Sequence, residues 1–212
     1  MVDKKNSLII LKSTLSRLPS YFCYIEEQAA LGVEYISATA IAESLSINPV
    51  QVRKDLASIS SVPGRPRRGF KVDSILVDLK RHLGYDSYDE AVLVGVGSLG
   101  QVLMQYRGFE KYGLGIVAGF DIEVREKTVD DKPVFPVSSL LSFLKRTKIK
   151  IGIIAVPASE AQQVANMLVT GGVRAIWNFA PATLNLPDNV LVKNENLAAS
   201  FAAISSALRR RH

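Results

Sequence analysis

At positions 91–100 the chain reads Ala91-Val92-Leu93-Val94-Gly95-Val96-Gly97-Ser98-Leu99-Gly100. This apolar run breaks into glycines spaced G-x-G-x-x-G and is followed by further apolar residues, which predicts a buried strand that turns into a helix. Gly95 permits the tight turn, Gly97 lets the backbone approach a pyrophosphate, and Gly100 lets the helix pack closely on the strand. The first N–H groups of the helix would face the anion. The stretch therefore predicts dinucleotide binding by Gly95, Val96, Gly97, Ser98, Leu99 and Gly100.

The same motif predicts an acidic residue about 20 positions further on, at the end of the second strand, where it holds a ribose hydroxyl. The apolar run 115–121 ends in Phe120-Asp121 and supplies that residue. A carboxylate repels a 2′-phosphate, so Asp121 favours NAD(H) over NADP(H). We place Ile122 in the same site. The alternative is a glycine-rich turn without a ligand, which the agreement of strand, glycines, helix and Asp121 argues against.

Composition narrows the class of protein. A chain of 212 residues with 48% hydrophobic content can bury the core of two small domains or one large domain. No apolar run reaches the roughly 20 residues of a membrane helix, and the N-terminus lacks the apolar block of a signal peptide, so we expect a cytoplasmic protein without membrane contact. One cysteine, Cys23, and two histidines, His82 and His212, make neither an internal disulfide nor a convincing metal site. The net charge of +6 modestly favours a polyanionic partner.

The N-terminal part of the chain reads as a small helical domain. Residues 7–31 carry apolar residues at helical spacing, beginning with Leu8 and Leu11, with a break at Pro19, which predicts two successive helices. Ser37 is placed to cap a short helix over 38–45. Asn48 is a good N-cap before Pro49, and a helix over 49–59 follows. A short helix, a tight turn and a capped helix form a helix-turn-helix candidate.

Positive charge concentrates around the second of these helices. Between Ser46 and Lys71 there are six basic residues against one acidic residue, Asp55. The arginine-rich segment 61–72 resembles a hairpin-like wing, which would straddle double-stranded DNA together with the helix. The alternative is a solvated basic loop beside a helical bundle. The candidate DNA-binding residues are Asn48, Gln51, Arg53, Lys54, Ser58, Arg65, Arg67, Arg68 and Lys71.

The rest of the chain alternates strands and helices. A helix over 73–83 ends at Gly84, and 84–89 is the predicted domain junction. Continuous apolar strands at 91–94, 115–121, 150–156 and 173–179 indicate a parallel sheet covered on both faces. The carboxyl ends of such strands open a ligand crevice, where we expect Val156, Pro157 and Asn178 to line the cofactor site. Trp177 is either a core residue or a cofactor platform.

The C-terminal segment predicts one more helix. Its apolar residues Leu197, Phe201, Ile204 and Leu208 form a single stripe, and Arg209, Arg210 and Arg211 suit the negative end of the helix dipole. An exposed stripe needs burial, so we expect this helix to clasp a homodimer. The predicted division is 1–84 for a winged-helix DNA-binding domain, 85–193 for a Rossmann-type α/β domain and 194–212 for the clasp.

Catalytic residues are hard to find. A dehydrogenase needs a proton donor or acceptor near the nicotinamide, and neither histidine follows a sheet strand. Tyr106, on the predicted helix after the glycines, either approaches the nicotinamide or packs at a domain interface. We therefore assign no catalytic residue. A small NAD-dependent oxidoreductase with a helical substrate region stays the alternative, as does a DNA-binding protein whose α/β domain is only a scaffold.

The chain resembles the Rex family of redox-sensing transcriptional repressors over nearly its whole length. The shared stretches are Arg17-Leu18-Pro19, Gln51–Leu56, Arg68-Gly69-Phe70, Gly95–Gly100, Phe120-Asp121, Val156-Pro157 and Asn178-Phe179-Ala180-Pro181. The resemblance implies a homodimer that represses respiratory or fermentative genes when NAD⁺ prevails and leaves its operator when NADH rises. It also implies a terminal helix that crosses to the partner subunit near its nicotinamide site.

The chain departs from the family at two positions. Members commonly carry an arginine where this chain has Cys23 and an aspartate where it has Asn196. The resemblance implies that this pair, with the tyrosine that matches Tyr106, couples cofactor state to DNA binding. Cys23 and Asn196 cannot form an ion pair. The expectation is a redox-sensing repressor with an attenuated response to NADH.

Overall fold

The computed structural model describes residues 12–209, apart from the side chains of Lys12, Leu197 and Ser200. The predictions for Leu8, Leu11, Arg210, Arg211 and His212 lie outside these residues, as does the side chain of Leu197. The chain divides into two compact units, Met1–Ser87 and Tyr88–His212. We call them the first and the second unit.

The first unit contains five helices and two short strands among its described residues. Pro19 lies in the first turn of the second helix, the Ser37 side chain accepts a hydrogen bond from Ala40 N at 3.0 Å, and that of Asn48 accepts one from Val50 N at 2.8 Å. The predicted helix starts at Ser37, Asn48 and Pro19 are thus confirmed. The elements are α1 (Lys12–Leu15), α2 (Leu18–Ala30), β1 (Tyr35–Ile36), α3 (Ala38–Leu45), α4 (Pro49–Ile59), β2 (Phe70–Lys71) and α5 (Val72–Leu83).

The wing contains a short hairpin-like turn, as expected, and is also held by a distant strand. The described residues of 61–72 pair with one another only through an isolated bridge between Arg65 and Gly69. Strand β2 instead pairs antiparallel with β1, which lies more than 30 residues earlier in the chain. Ile36 lies opposite Phe70, and both are buried. The wing is therefore closed on itself only at the turn 65–69, and β2 attaches it to β1 at the start of the helix-turn-helix.

The second unit is a seven-stranded sheet. Its order is β5-β6-β4-β3-β7-β8-β9, with parallel pairs throughout except β5 against β6. Leaving out β5, this is the order of a doubly wound dinucleotide-binding sheet, whose crevice opens between β3 and β7. The elements are β3 (Asp89–Val94), α6 (Ser98–Gln105), β4 (Leu114–Asp121), β5 (Thr128–Val129), β6 (Lys132–Pro136), α7 (Leu140–Thr147), β7 (Ile151–Ile154), α8 (Ala158–Thr170), β8 (Ala175–Asn178), β9 (Leu191–Asn194) and α9 (Leu197–Arg209).

Helices cover the two sheet faces unequally. On one face α7 and α8 pack on Val92, Val94, Ala118 and Phe120. On the other face α6 packs on β3 and β4, where its Leu103 and Met104 are buried. The parallel α/β architecture is confirmed, while β5, β6 and β9 were not predicted.

The terminal helix α9 exposes its apolar stripe. Phe201 is 74% exposed, Ile204 60% and Leu208 59%. Among residues 12–209 no helix is both long and apolar enough to cross a membrane.

Candidate functional site

The glycine loop between β3 and α6 is shaped by close packing at two of its three glycines. Gly95 has φ 98°, and a Cβ there would collide with the carbonyl of Ala155 at the end of β7. A Cβ at Gly100 would collide with the Gly95 carbonyl oxygen. A Cβ at Gly97 would meet no atom within 4 Å. The open space over Gly97 leaves the backbone free for the close approach of a ligand phosphate, as the motif predicts.

Asp121 ties the end of β4 to this loop. Its Oδ2 accepts a hydrogen bond from Val96 N at 2.6 Å, and its Oδ1 accepts one from Glu123 N at 3.1 Å. Each carboxylate oxygen keeps a further lone pair. The carboxylate therefore holds the loop and still offers acceptors to a ribose.

Two cavities flank Asp121 at the carboxyl ends of the strands. The smaller one measures about 190 Å³ and is lined by Val94, Gly95, Gly97, Asp121, Ile122, Val137, Ala155, Val156, Pro157, Glu160 and Val164. The larger one measures about 470 Å³ and is lined by Val96, Gly97, Ser98, Gln101, Asp121, Ile122, Glu123 and Arg125. A loop without a Cβ at its open position, a helix N-terminus and a carboxylate with free lone pairs fit a dinucleotide that spans both cavities.

Eight of the twelve candidate cofactor residues line these cavities. Leu99 and Gly100, in the first turn of α6, do not line them, and Gly100 is buried against the loop. The sequence motif missed Gln101, Glu123, Arg125, Val137, Ala155 and Glu160. Glu123, Arg125, Val137 and Ala155 follow strands, whereas Gln101 and Glu160 lie in the first turns of α6 and α8, and only the sheet order brings them to one crevice.

The prediction that Tyr106 lies on the helix after the glycines is wrong by one residue. That helix ends at Gln105, and Tyr106 follows it near Tyr88 and Gly115, where β3 and β4 begin. Its ring packs edge-on against Phe109 with centroids 4.9 Å apart. Tyr106 therefore lies at the amino ends of the strands and does not line this chain's own crevice.

Asn178 also differs from the expectation that it faces ligand. Its side chain is fully buried at the end of β8. The amide nitrogen donates to Ala180 O, Ala182 O and Asn194 Oδ1, and the amide oxygen accepts from Ala180 N. Three of these contacts join loop 179–182 to β8 and the fourth joins β8 to β9, so Asn178 holds the loop rather than a ligand.

In the first unit, Asp55 on α4 is the centre of a buried hydrogen-bond network. Its side chain is 2% exposed and accepts from Thr14 Oγ1, Tyr21 OH and Gln51 Nε2, and it forms an ion pair with Arg17 at 2.7 Å. The network joins α1 and α2 to the helix that was predicted to enter DNA.

The network sets the protonation of its members. Burial by itself opposes the charged form of Asp55, but the hydrogen bonds from Arg17, Gln51, Tyr21 and Thr14 outweigh it and lower the pKa of the carboxyl. Burial and the bond to Asp55 raise the pKa of Tyr21 to about 12. Asp55 is therefore held as a carboxylate and Tyr21 as a phenol.

Basic side chains line a cavity of about 640 Å³ between α3, α4 and the wing. Arg53, Arg65 and Arg67 are among its lining residues, and the N-cap Ser37 with Ala38 and Thr39 of α3 forms one wall. In the described part of the chain no carboxylate pairs with these arginines. A concave surface with unpaired guanidinium groups at a helix N-terminus suits a nucleic-acid backbone.

The remaining DNA candidates have mixed surroundings. Lys54, Arg68 and Lys71 are exposed, whereas Gln51 and Ser58 are half-buried. The amide nitrogen of Gln51 donates to Asp55, and the Ser58 hydroxyl donates to the Asp55 carbonyl at 2.6 Å. Both side chains are thus partly engaged within α4, at the three- and four-residue spacings that bring side chains together on one helix.

The structure also shows the surroundings of Cys23 and Asn196, the two residues that depart from the family pattern. Cys23 is half-buried on α2 and takes part in no disulfide within the described chain. Asn196 caps α9, since its Oδ1 accepts from Ala199 N at 2.8 Å. Its neighbour Glu195 accepts a hydrogen bond from Trp177 Nε1 at 3.2 Å. Among residues 12–209 no group of three or more His, Cys, Asp and Glu side chains is arranged to hold a metal ion.

Comparison with known families agrees with both halves of the chain. Residues 10–57 match the model "Putative DNA-binding protein N-terminus", and residues 86–182 match the model "CoA binding domain". The redox-sensing transcriptional repressor Rex of Treponema denticola is 39% identical over 193 residues, which cover 90% of this chain and 91% of that protein. Rex of Bacteroides fragilis is 32% identical and covers 98% and 94%.

Solved structures give the same result. A structure of RSP in complex with β-NAD⁺ and operator DNA superposes with a TM-score of 0.87 at 33% identity, covering 97% of this chain and 95% of that one. RSP, described as a Rex-family repressor, also matches in complex with β-NADH, with a TM-score of 0.86, 33% identity and 97% coverage of both chains. With a winged helix-turn-helix, a doubly wound sheet and relatives above 30% identity along nearly its whole length, the chain belongs to the Rex family of redox-sensing transcriptional repressors.

Proposed function

We propose that this protein is an NAD(H)-sensing transcriptional repressor that binds an operator in double-stranded DNA. The observation that carries the proposal is the presence, in one chain, of an arginine-lined cavity beside the helix-turn-helix and an open glycine loop beside Asp121. Its relatives are named as repressors, and RSP has been solved with NAD⁺, NADH and operator DNA.

The dinucleotide lies along the carboxyl ends of the strands. Gly97 and the N-terminus of α6 would hold its pyrophosphate, and Asp121 would accept hydrogen bonds from the adenosine ribose. Ile122 lines both cavities beside Asp121 and supplies apolar contact for the adenine. When bound, the cofactor reports the cellular redox state through its oxidised and reduced forms. The chain binds it without turning it over.

DNA contact uses α4 and the wing. Arg53, Lys54 and the exposed edge of Gln51 meet the major groove and its phosphates, and Arg65, Arg67 and Arg68 in the wing reach the backbone or the minor groove. Lys71 and the N-cap Asn48 extend the same surface. Asp55 does not contact DNA, because its oxygens are engaged by Arg17, Tyr21, Thr14 and Gln51.

The active form is a homodimer. Support comes from α9, where Phe201, Ile204 and Leu208 are exposed on a helix that their own unit leaves uncovered. A two-fold dimer also matches the symmetry of paired operator half-sites. We propose domain limits of 1–84, 85–193 and 194–212, with the last segment as the clasp, and action in the cytoplasm, where DNA and the NAD(H) pool meet.

The experiment has two stages. Duplexes are first selected from a random-sequence pool by the protein itself, and the affinity for the selected duplex is then measured by fluorescence anisotropy at one salt concentration with NAD⁺, with NADH and with neither. We expect specific binding that differs between the two cofactor forms. Failure to enrich any sequence, or NADH consumption with common aldehydes and keto acids, would contradict the proposal and favour the oxidoreductase alternative.

A further inference from the structure

Tyr35 has a position that the DNA-binding motif does not explain. It lies in the two-residue strand β1, directly opposite Lys71 in β2, while the next residue, Ile36, lies opposite Phe70. Neighbouring residues of a strand point to opposite faces, and residues opposite each other point to the same face. Since Ile36 and Phe70 are buried, Tyr35 and Lys71 share the outer face.

Two wing arginines lie over the Tyr35 ring. The Arg68 Cζ is 4.7 Å from the ring centroid, and the Arg65 Cζ is 5.4 Å from it. Both distances are within the range of about 6 Å in which the ring quadrupole attracts a cation. Neither guanidinium pairs with a carboxylate in the described chain. Two arginines without a carboxylate partner thus contact the same Tyr35 ring, and Lys71 lies opposite Tyr35 on the neighbouring strand.

The backbone of the wing keeps this arrangement in place. Arg65 N donates to Gly69 O at 2.8 Å, and Gly69 N donates to Arg65 O at 2.9 Å, which closes the turn at the wing tip. A Cβ at Gly69, where φ is 85°, would collide with the Ile36 carbonyl oxygen. Arg67 lies between them with φ 62°, a left-handed conformation that is costly for an arginine. The turn is therefore pressed against β1, beside Tyr35.

We propose that Tyr35 is a positioning residue of the DNA-binding wing, which holds the Arg65 and Arg68 guanidinium groups ready for the phosphates of duplex DNA. This inference rests on the proposed DNA-binding function. A free arginine loses rotamer freedom when it meets a phosphate, and that loss lowers affinity. Because the ring already orders two arginines in the free protein, less rotamer freedom is lost when the DNA binds.

The ring, rather than the hydroxyl, carries this role. Within residues 12–209 no hydrogen bond of the Tyr35 hydroxyl is found, whereas both arginine contacts are to the ring face. Phenylalanine keeps that face and an aliphatic residue does not. The pair Tyr35→Phe and Tyr35→Leu therefore separates the two parts of the side chain, and Tyr35→Ile gives a second aliphatic variant suited to a strand.

The test is a mutant cycle on a duplex selected by the parent protein. Tyr35→Leu is expected to bind the duplex about tenfold more weakly, because the two long arginine side chains must then be ordered when the DNA binds. Tyr35→Phe is expected to stay within about twofold of the parent. In the Arg65→Ala/Arg68→Ala background, Tyr35→Leu is expected to have no further effect, because the groups that it positions are absent. A purely structural loss would appear equally in both backgrounds.

A second readout needs no DNA. The Nε–Hε NMR signals of Arg65 and Arg68 are expected to be displaced by the ring current in the parent and in Tyr35→Phe, and to return to ordinary positions in Tyr35→Leu and Tyr35→Ile. The inference would be overturned if the parent signals were not displaced or if all Tyr35 variants bound DNA with equal affinity. It would also be overturned if Tyr35→Leu lowered DNA affinity as much in the Arg65→Ala/Arg68→Ala background as in the parent. If the parent selects no duplex, the proposed function fails, while the NMR spectra still decide whether Tyr35 orders the wing.

Discussion

The backbone N–H of Val96 donates to Asp121 Oδ2 at 2.6 Å, so the carboxylate proposed to bind the ribose also fixes the glycine loop. Asp121→Ala removes both contacts. We expect NAD(H) affinity to fall by about 1–3 kcal/mol, the usual effect of losing a hydrogen bond to a charged group, and the preference for NAD(H) over NADP(H) to narrow.

Titration calorimetry with all four dinucleotides measures this effect. Asp188→Asn, an exposed acidic position of the second unit, is the control that changes net charge without touching either cavity. Parent protein that binds no dinucleotide would support the scaffold interpretation of the α/β domain. A variant with the parent's affinity and preference would show that Asp121 does not hold the ribose.

The wing makes a prediction about salt. Arg68 is exposed and engaged with Tyr35 but paired with no carboxylate in the described chain. Arg68→Ala is expected to weaken operator binding and to reduce the slope of log affinity against log salt by about one, since one phosphate contact is lost. Arg174→Ala, an exposed arginine of the second unit, serves as the charge-matched control. A slope equal to the parent's would remove Arg68 from the interface.

The buried network of the first unit makes a prediction about pH. Asp55→Asn leaves Arg17 without its partner and is expected to cost about 2–4 kcal/mol of unfolding free energy near neutral pH. The folded pKa of Asp55 is lowered, so its stabilising contribution is present above the ordinary aspartate value of about 3.9 and is lost as the pH falls through the folded pKa. The gap between parent and variant should therefore shrink in acid.

Urea unfolding from pH 7 down to pH 3 measures this difference in unfolding free energy between the parent and Asp55→Asn. Asp73→Asn, in the first turn of α5 and with an exposed side chain, is the control. A gap that stays constant over this range would mean that ionisation of Asp55 does not contribute to stability.

The sequence predicted the local features of this chain better than its long-range ones. The glycine loop, Asp121, the N-caps Ser37 and Asn48 and the helix start at Pro49 follow from short-range chemistry, and each is found where it was expected. Apart from the five-residue β6, the strands missed were two residues long or lay at a sheet edge. A two-residue strand such as β1 is too short for an alternating pattern, and its pairing depends on a partner more than 30 residues away.

The side-chain roles that could not be predicted depend on distant contacts. Asp55 was noted only as the single acid among basic residues, yet its partners Thr14, Arg17 and Tyr21 lie 34 to 41 positions earlier. Asn178 was expected to face ligand because it ends a strand. Strand β9, which was not predicted, brings Asn194 beside it and completes its hydrogen bonds.

The terminal helix makes a prediction about assembly. Replacing Phe201, Ile204 and Leu208 together by alanine keeps helix propensity and removes the apolar stripe, so the dimer is expected to dissociate at micromolar concentration. Substitution is preferable to truncating the chain after Val192, because that position lies inside β9. Light scattering and thermal unfolding distinguish dissociation from unfolding, and Ala199→Ser on the same helix is the control. A triple variant that remains a stable dimer would rule out the clasp.

The last prediction concerns the response to NADH, which we expect to be weaker than the family resemblance implies. A cofactor moves a DNA-binding equilibrium only by its differential affinity for the two states, and a shift from mostly bound to mostly released needs about 10⁴-fold, or ~5.5 kcal/mol. A charged pair that forms in one state supplies on the order of 1.5–3 kcal/mol of such a difference. Cys23 and Asn196 cannot form that pair, and the Asn196 Oδ1 already accepts from Ala199 N at the start of α9.

The neutral Asn196 still has an amide nitrogen to donate, so we expect attenuation of the response rather than its loss. The measurement is operator affinity at saturating NADH and at saturating NAD⁺, at one salt concentration, for the parent and for Cys23→Arg/Asn196→Asp. Aspartate caps a helix as well as asparagine does, so the second change preserves the start of α9. We expect the double variant to release DNA on NADH by a larger factor than the parent. A hundredfold or greater loss of affinity caused by NADH in the parent would show that the coupling does not depend on a charged pair at these positions, and the attenuation hypothesis would then be abandoned.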